Sequence, residues 1–259
     1  MFPLYQYDGS WKGLLSCLQN IQEQEILDCE IQKAGSGQSH LFGNPILVKA
    51  DERKIAQIKE FIQSKMGENT LRILYLSFLS EDPTIENTIF HYLKLGFSVG
   101  KKIHNMLQND YVNRVETLSK KVLREKHRYL GLLRFEELPN RVLYAQFEPD
   151  YFILPLLAKP FFDRLGSEDF IIFDQRRKKA ILKERNELYF QVLDEEMIRV
   201  LKNGSKDLTY ETLWITYFKT IAITLRKNLK LQRSKVPIKC VPYLTEGSAI
   251  QEEYGFEEE

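Results

Sequence analysis

The chain has 259 residues, of which 43% are hydrophobic, 12% aromatic and 28% charged. That balance excludes a disordered polymer and supplies enough apolar surface for one large core or two small ones. The formal net charge is +1, from 37 Lys and Arg against 36 Asp and Glu, so no global field announces a polyanionic partner.

In chain order, Phe2–Tyr7 reads as a short strand closed by the turn Asp8-Gly9-Ser10. Ser10 is a helix cap, and Leu14, Leu15, Leu18 and Ile21 follow on one helical face. Leu27–Gln32 and Ile46–Lys49 read as strands around the loop Gly35-Ser36-Gly37. Ile55, Ile58, Phe61 and Ile62 mark a helix after Asp51, and two more, over 69–80 and 84–98, are separated by Asp82-Pro83. A long helix over 104–130 carries Leu107, Tyr111, Val115, Leu118, Val122 and Tyr129 at helical spacing. Leu132–Phe135 and Val142–Phe147 read as strands joined through Pro139-Asn140, and Tyr151–Leu165 as a helix. Phe170–Phe173, Ala180–Lys183 and Tyr189–Val192 form a predicted meander. A last helix over 209–231 turns Trp214, Phe218, Ile221 and Leu225 inward, and Pro237 and Pro242 interrupt regular structure beyond it.

Strands cluster in the second half with long helices before and after them. This predicts an α+β fold, an antiparallel sheet flanked by long helices, with a smaller N-terminal α/β lobe. The expected domains are 1–100 for that lobe, 101–246 for the α+β domain with basic helices, and 247–259 for an acidic, flexible tail.

Cys17, Cys29 and Cys240 fit no metal or cluster spacing and read as reduced core residues of a cytoplasmic protein. His40, His91, His104 and His127 form no ligand pair, so no metal and no cofactor are expected. No signal peptide opens the chain and no run of 18 apolar residues exists, so no membrane partner is expected. Gly35-Ser36-Gly37 lacks the Lys-Ser/Thr of a phosphate loop, and no Gly-x-Ser-x-Gly elbow is present.

Charge is uneven along the chain. Residues 101–135, 176–185 and 219–239 are basic, while the stretch from Glu246 carries six glutamates and no cation. Lys120, Arg124 and His127 lie at i, i+4 and i+7, on one helical face; Lys219, Arg226, Lys230 and Arg233 share a face in the same way. Such rows can track phosphates and release counterions, and DNA is the expected partner. The alternative is a solvated helix face.

Specific strings add to this reading. They are Tyr7-Asp8-Gly9 with Gly13-Leu14-Leu15, Gly131-Leu132-Leu133-Arg134-Phe135, Tyr144-Ala145 with Glu148-Pro149, and Asp163-Arg164. Asp174-Gln175-Arg176, Leu213-Trp214 with Tyr217-Phe218, Arg226-Lys227-Asn228 with Leu231-Gln232, and Leu244-Thr245-Glu246 come next in order. As an ordered set they resemble a bacterial family labelled as DNA-repair or DNA-metabolism proteins, a domain of unknown function. The resemblance implies a radical-SAM partner protein, and some family members are fused to a uracil-DNA glycosylase-like domain. The chain departs from the family at Pro160, where a His-Phe pair is expected to begin. It departs again at Ile238-Lys239-Cys240-Val241, which replaces a more basic and aromatic stretch.

Three groups are candidate sites. Asp174 ends a predicted strand and Arg176 follows on a turn; with Arg134, Arg226 and Asn228 they could orient guanidinium groups toward a phosphate or a flipped base. The alternative is an ion-pair network that fixes the turn. Asp8 is a candidate general base, or the first residue of an Asp-Gly turn that starts a helix. Trp214, Tyr217 and Phe218 could stack unpaired bases or fill the core, and Tyr217 is the one expected at the surface. Candidate catalytic residues are thus Asp174, Arg176, Arg134, Asn228 and Asp8. Candidate nucleic-acid contacts are Lys120, Arg124, Arg176, Tyr217, Arg226, Lys230 and Arg233.

The expected function is a nucleic-acid-binding accessory protein in DNA repair or modification, acting with a radical-SAM enzyme. The rivals are a nuclease or base-processing hydrolase centred on Asp174 and its arginines, and an adaptor whose basic faces meet an acidic partner protein.

Overall fold

A computed structural model describes residues 2–25, 28–35, 45–138, 141–193, 197, 231, 234–247 and 250–251. The predicted helix over 209–231 falls outside the described residues except for its end, and so does the acidic stretch from Glu252. The fold is mixed α+β, as its pattern predicts. The chain divides into two compact units, residues 1–123 and 124–259.

The first unit holds a three-stranded parallel sheet, β1 (Leu4–Tyr7), β2 (Glu30–Lys33) and β3 (Ile46–Leu47), with β1 central. Helices α1 (Trp11–Glu23), α2 (Glu52–Met66), α3 (Asn69–Phe78) and α4 (Ile85–Val99) follow the strands, with a 3-10 turn at Gly100–Asn105. Ser10 caps α1 by accepting from the Gly13 N–H at 2.9 Å, and Asp51 caps α2 by accepting from Arg53 N–H and Lys54 N–H. Each cap contributes about 1 kcal/mol by satisfying donors that the first helical turn leaves unpaired. Tyr5 and Tyr7 of β1, Leu14 and Leu15 of α1, and Ile55, Ile58 and Ile62 of α2 are buried in this unit's core.

Helix α5 (Asp110–Leu132) starts in the first unit and ends in the second. Asn109 Oδ1 accepts from the Tyr111 and Val112 N–H groups at its start. Val112, Val115, Leu118, Val122 and Tyr129 form its buried stripe, whereas Lys120, Arg124 and His127 are at least partly exposed together. Leu107 precedes the helix and is exposed, as is Tyr111, so the predicted stripe begins one turn late. Leu132–Phe135 is not a strand either. The helical hydrogen bonding runs on, with Leu133 N–H donating to Tyr129 O at 3.0 Å. A short apolar run has no period by which to tell strand from helix end.

The second unit is built on a five-stranded sheet in the order β4 (Glu136–Glu137), β5 (Leu143–Phe147), β6 (Phe170–Asp174), β7 (Lys179–Glu184) and β8 (Glu187–Val192). The meander β6–β7–β8 and the β4–β5 pair are antiparallel, as expected. The β5–β6 pair is parallel, with α6 (Leu154–Leu165) as its crossover. Two parallel neighbours cannot be joined by a hairpin, and the 12-residue helix between them supplies the return path. Leu138, Tyr144, Phe173, Ala180 and Leu193 pack together. Lys183 is buried on β7 and donates to the carbonyls of Gly166 and Glu168, tying the strand to the end of α6.

Candidate functional site

In open sheets, ligands bind beyond the carboxyl ends of parallel strands, where neighbouring loops part. The carboxyl ends of β5 and β6 are in register, Phe147 beside Asp174. The two loops that leave them, Glu148-Pro149-Asp150 and Gln175-Arg176-Arg177, are cross-linked. Arg177 donates to Pro149 O at 3.3 Å and to Asp150 O at 2.9 Å, and Arg176 donates to Asp150 O at 3.3 Å.

Asp174 has no solvent exposure. Its Oδ1 accepts from the Arg177 N–H at 3.1 Å and its Oδ2 from the Arg177 guanidinium at 3.0 Å. Burial pushes its carboxyl above the usual range, against the pull of Arg177. Arg177 also lies over the Phe152 ring, which Lys179 approaches as well. Arg176 points outward, its side chain 55% exposed.

A third element closes the cluster from α5. Glu125 is buried, and its two oxygens accept from consecutive backbone N–H groups, Asp150 at 2.9 Å and Tyr151 at 2.8 Å. Lys239 bridges Glu125 at 3.4 Å and Asp150 at 2.6 Å. Burial first and then Glu125 raise the Tyr151 phenol, against the pull of Lys239 and Arg124. Burial raises the Cys240 thiol against the pull of its Tyr129 hydrogen bond, Lys239 and Arg128. Tyr243 donates to Glu148 at 3.0 Å and Gln175 at 3.2 Å, and its phenol is pushed up to about 12 by burial and by Glu148. Arg124, Arg176, Arg177 and Lys239 therefore gather about one short stretch of chain, Glu148–Tyr151.

The predicted site residues separate into groups. Asp174 and Arg176 share this cluster, and Arg124 borders it. Arg134 sits elsewhere, donating to Gly131 O at 2.7 Å and to Glu246 at 3.2 Å. Lys120 is exposed on α5, 3.7 Å from Glu116. Asp8 lies in the first unit, where its Oδ1 accepts from the N–H and hydroxyl of Ser10. That turn accounts for the glycines beside it: Gly9 has φ +80°, and a β-carbon at Gly13 would collide with the Asp8 carboxylate. Trp214, Tyr217, Phe218, Arg226, Asn228, Lys230 and Arg233 lie outside the described residues.

Sequence reasoning missed Glu125, Arg177 and Lys239. Glu125 did carry a signal, a carboxylate three residues after Val122 and four before Tyr129 on the buried stripe of α5. A charge is kept there only if hydrogen bonds satisfy it. Among the described residues no group of His, Cys, Asp and Glu is arranged to hold a metal ion, and no helix is long and apolar enough to cross a membrane.

No curated protein matches the chain. Residues 83–246 match the family DUF4130, described as a domain of unknown function. The match takes in α5, the five-stranded sheet and every residue of the cluster, and leaves out the Asp8 turn. It covers more than half of the chain, and the chain therefore belongs to the DUF4130 family, a domain of unknown function.

Proposed function

We propose that the chain binds nucleic acid as an accessory protein in DNA repair or modification, acting with a radical-SAM enzyme. One observation carries the binding reading: cations from α5, from the loop after β6 and from the segment at Lys239 converge at the carboxyl ends of the parallel pair. Arg176 is the outward member: its Nη1 donates to Asp150 O at 3.3 Å, its side chain is 55% exposed, and a planar guanidinium suits a phosphate. Lys120, Arg124 and His127 form an exposed basic row on α5 itself. The radical-SAM partnership rests on the family resemblance alone. The geometry favours binding over catalysis at Asp174, because both of its oxygens are taken by Arg177 within a closed turn.

Fluorescence anisotropy with duplex DNA across a salt series tests the reading. Affinity should fall with a log–log slope of about −0.9 per phosphate neutralised. Arg176→Ala, or Lys120→Ala with Arg124→Ala, should weaken binding on all sequences alike and flatten that slope. Absence of binding at low salt, or a slope untouched by both variants, overturns it and leaves the acidic-partner reading. Co-purification with a radical-SAM enzyme, read by iron–sulfur absorbance, tests the partnership.

A further inference from the structure

The first unit carries a cleft of about 770 Å³ that no part of the proposed function uses. It lies along α4 and α5, and one end is aromatic. Tyr111, 41% exposed, stacks on His91 with ring centroids 4.5 Å apart and planes at 27°. A phenol ring held flat in this way and still open to solvent is a platform for a planar heterocycle.

Farther along α5 the lining turns cationic. Arg114 and Lys121 are seven residues apart, two helical turns, and so share a face. Thr117 stands between them, its hydroxyl donating to Asn113 Oδ1 at 3.0 Å. Asp82 fixes the Arg114 guanidinium but takes its hydrogen bonds from Nη2 alone, at 2.9 and 2.7 Å. Among the described residues, Nη1 and Nε of Arg114 make no hydrogen bond, which leaves that edge for another acceptor. Asp110, also in the lining, offers an acceptor for sugar hydroxyls.

We propose that this cleft is a nucleotide site, with the base on Tyr111 and the phosphate between Arg114 and Lys121. Along α5 the rise from Tyr111 is about 5 Å to Arg114 and about 15 Å to Lys121. The separation of a base from its 5′-phosphate falls within that span. A purely apolar ligand would make no use of Lys121 or of the open edge of Arg114, and inorganic phosphate would leave the aromatic platform bare. The site is distinct from the backbone-binding surface at Arg176, because it recognises one nucleotide by its face.

Calorimetric titration of the full chain with AMP, adenosine, ribose 5-phosphate and inorganic phosphate tests the assignment. AMP should bind saturably and more tightly than ribose 5-phosphate. Tyr111→Ala should weaken AMP about tenfold and leave ribose 5-phosphate unchanged. Lys121→Ala should weaken both phosphates and leave adenosine unchanged. Both side chains are exposed, and unchanged thermal melting of each variant excludes misfolding. Displacement of AMP by a short single-stranded oligonucleotide would identify the natural ligand as an unpaired strand, and its failure a free nucleotide; either outcome upholds the site. AMP binding no tighter than ribose 5-phosphate, or unchanged in Tyr111→Ala, overturns it. Neither result depends on the duplex salt series, so the two proposals fail separately.

Discussion

Asp174 and Arg177 form an ion pair across three residues of a turn, 3.0 Å apart, with the carboxylate wholly buried and the guanidinium nearly so. The pair does two jobs. Asp174 holds the turn through the Arg177 N–H, and the same Arg177 side chain reaches Pro149 and Asp150 on the neighbouring loop. The loops after two parallel strands are thereby locked to each other.

Removing one partner leaves a buried charge without its counterion, which typically costs about 3–5 kcal/mol. Asp174→Ala should therefore lower the unfolding free energy in a urea titration by about 3–5 kcal/mol, and Arg177→Met should cost at least as much, because it strands a wholly buried carboxylate and also releases the Pro149 and Asp150 carbonyls. No loss in Asp174→Ala, or a much smaller loss in Arg177→Met than in Asp174→Ala, would show that the pair does not organise the loops.

Glu125 is expected to behave as a structural clamp. Its carboxylate takes two backbone N–H donors and a lysine. Glu125→Ala should cost about 3 kcal/mol, the scale of lost charge-assisted hydrogen bonds. Hydrogen exchange at the Asp150 and Tyr151 amides should rise in Glu125→Ala more than elsewhere in the second unit. Uniform acceleration across the unit would argue against a local clamp.

The three cysteines should be silent in the folded protein. Cys17 and Cys29 are buried, and their thiols are pushed up to about 12, by burial first and then by Cys29 and Asp28 respectively. Cys240 is buried against Tyr129. Because the thiolate is the reactive form, a disulfide reagent at neutral pH should label none until denaturant is added. Fast labelling of any one thiol in buffer would contradict the packing around it.

The Asp82–Arg114 pair sets a pH dependence. Burial raises the Asp82 carboxyl, but Thr84 and Arg114 more than offset it, so its pKa falls below the ordinary value of 3.8. A carboxyl depressed on folding adds stability above its unfolded pKa and loses it as pH falls through the folded one. Arg114 is half exposed, and screening limits the gain to about 0.3–1 kcal/mol. The stability difference between the native chain and Asp82→Asn should be present at pH 7 and shrink toward pH 3. A difference that grows on acidification would reverse the sign of this argument.

Much of the fold is legible in local pattern. The period-3.6 stripes of α1, α2 and α5, the caps at Ser10 and Asp51, and the meander β6–β7–β8 arise from spacing and turn chemistry, because each depends on residues a few positions apart. The row Lys120, Arg124 and His127 is legible for the same reason: seven residues suffice to place one helical face.

The parallel β5–β6 pair and the cluster at its end depend on contacts between distant residues, and no local period encodes those. Arg134 reads as a neighbour of Asp174 on the basis of charge, yet its partner is Glu246, 112 residues away in the chain. Arg177 reads as one more cation in a basic loop until the fold brings Pro149 and Asp150 to it. Glu125 becomes a clamp only when the loop after β5 turns two N–H groups toward α5. The sequence determined the elements and their exposed faces, through interactions that a single helix or hairpin contains. Which carboxylate meets which cation was decided by the tertiary structure, because an ion pair has no sequence period and forms wherever packing brings its two charges within reach.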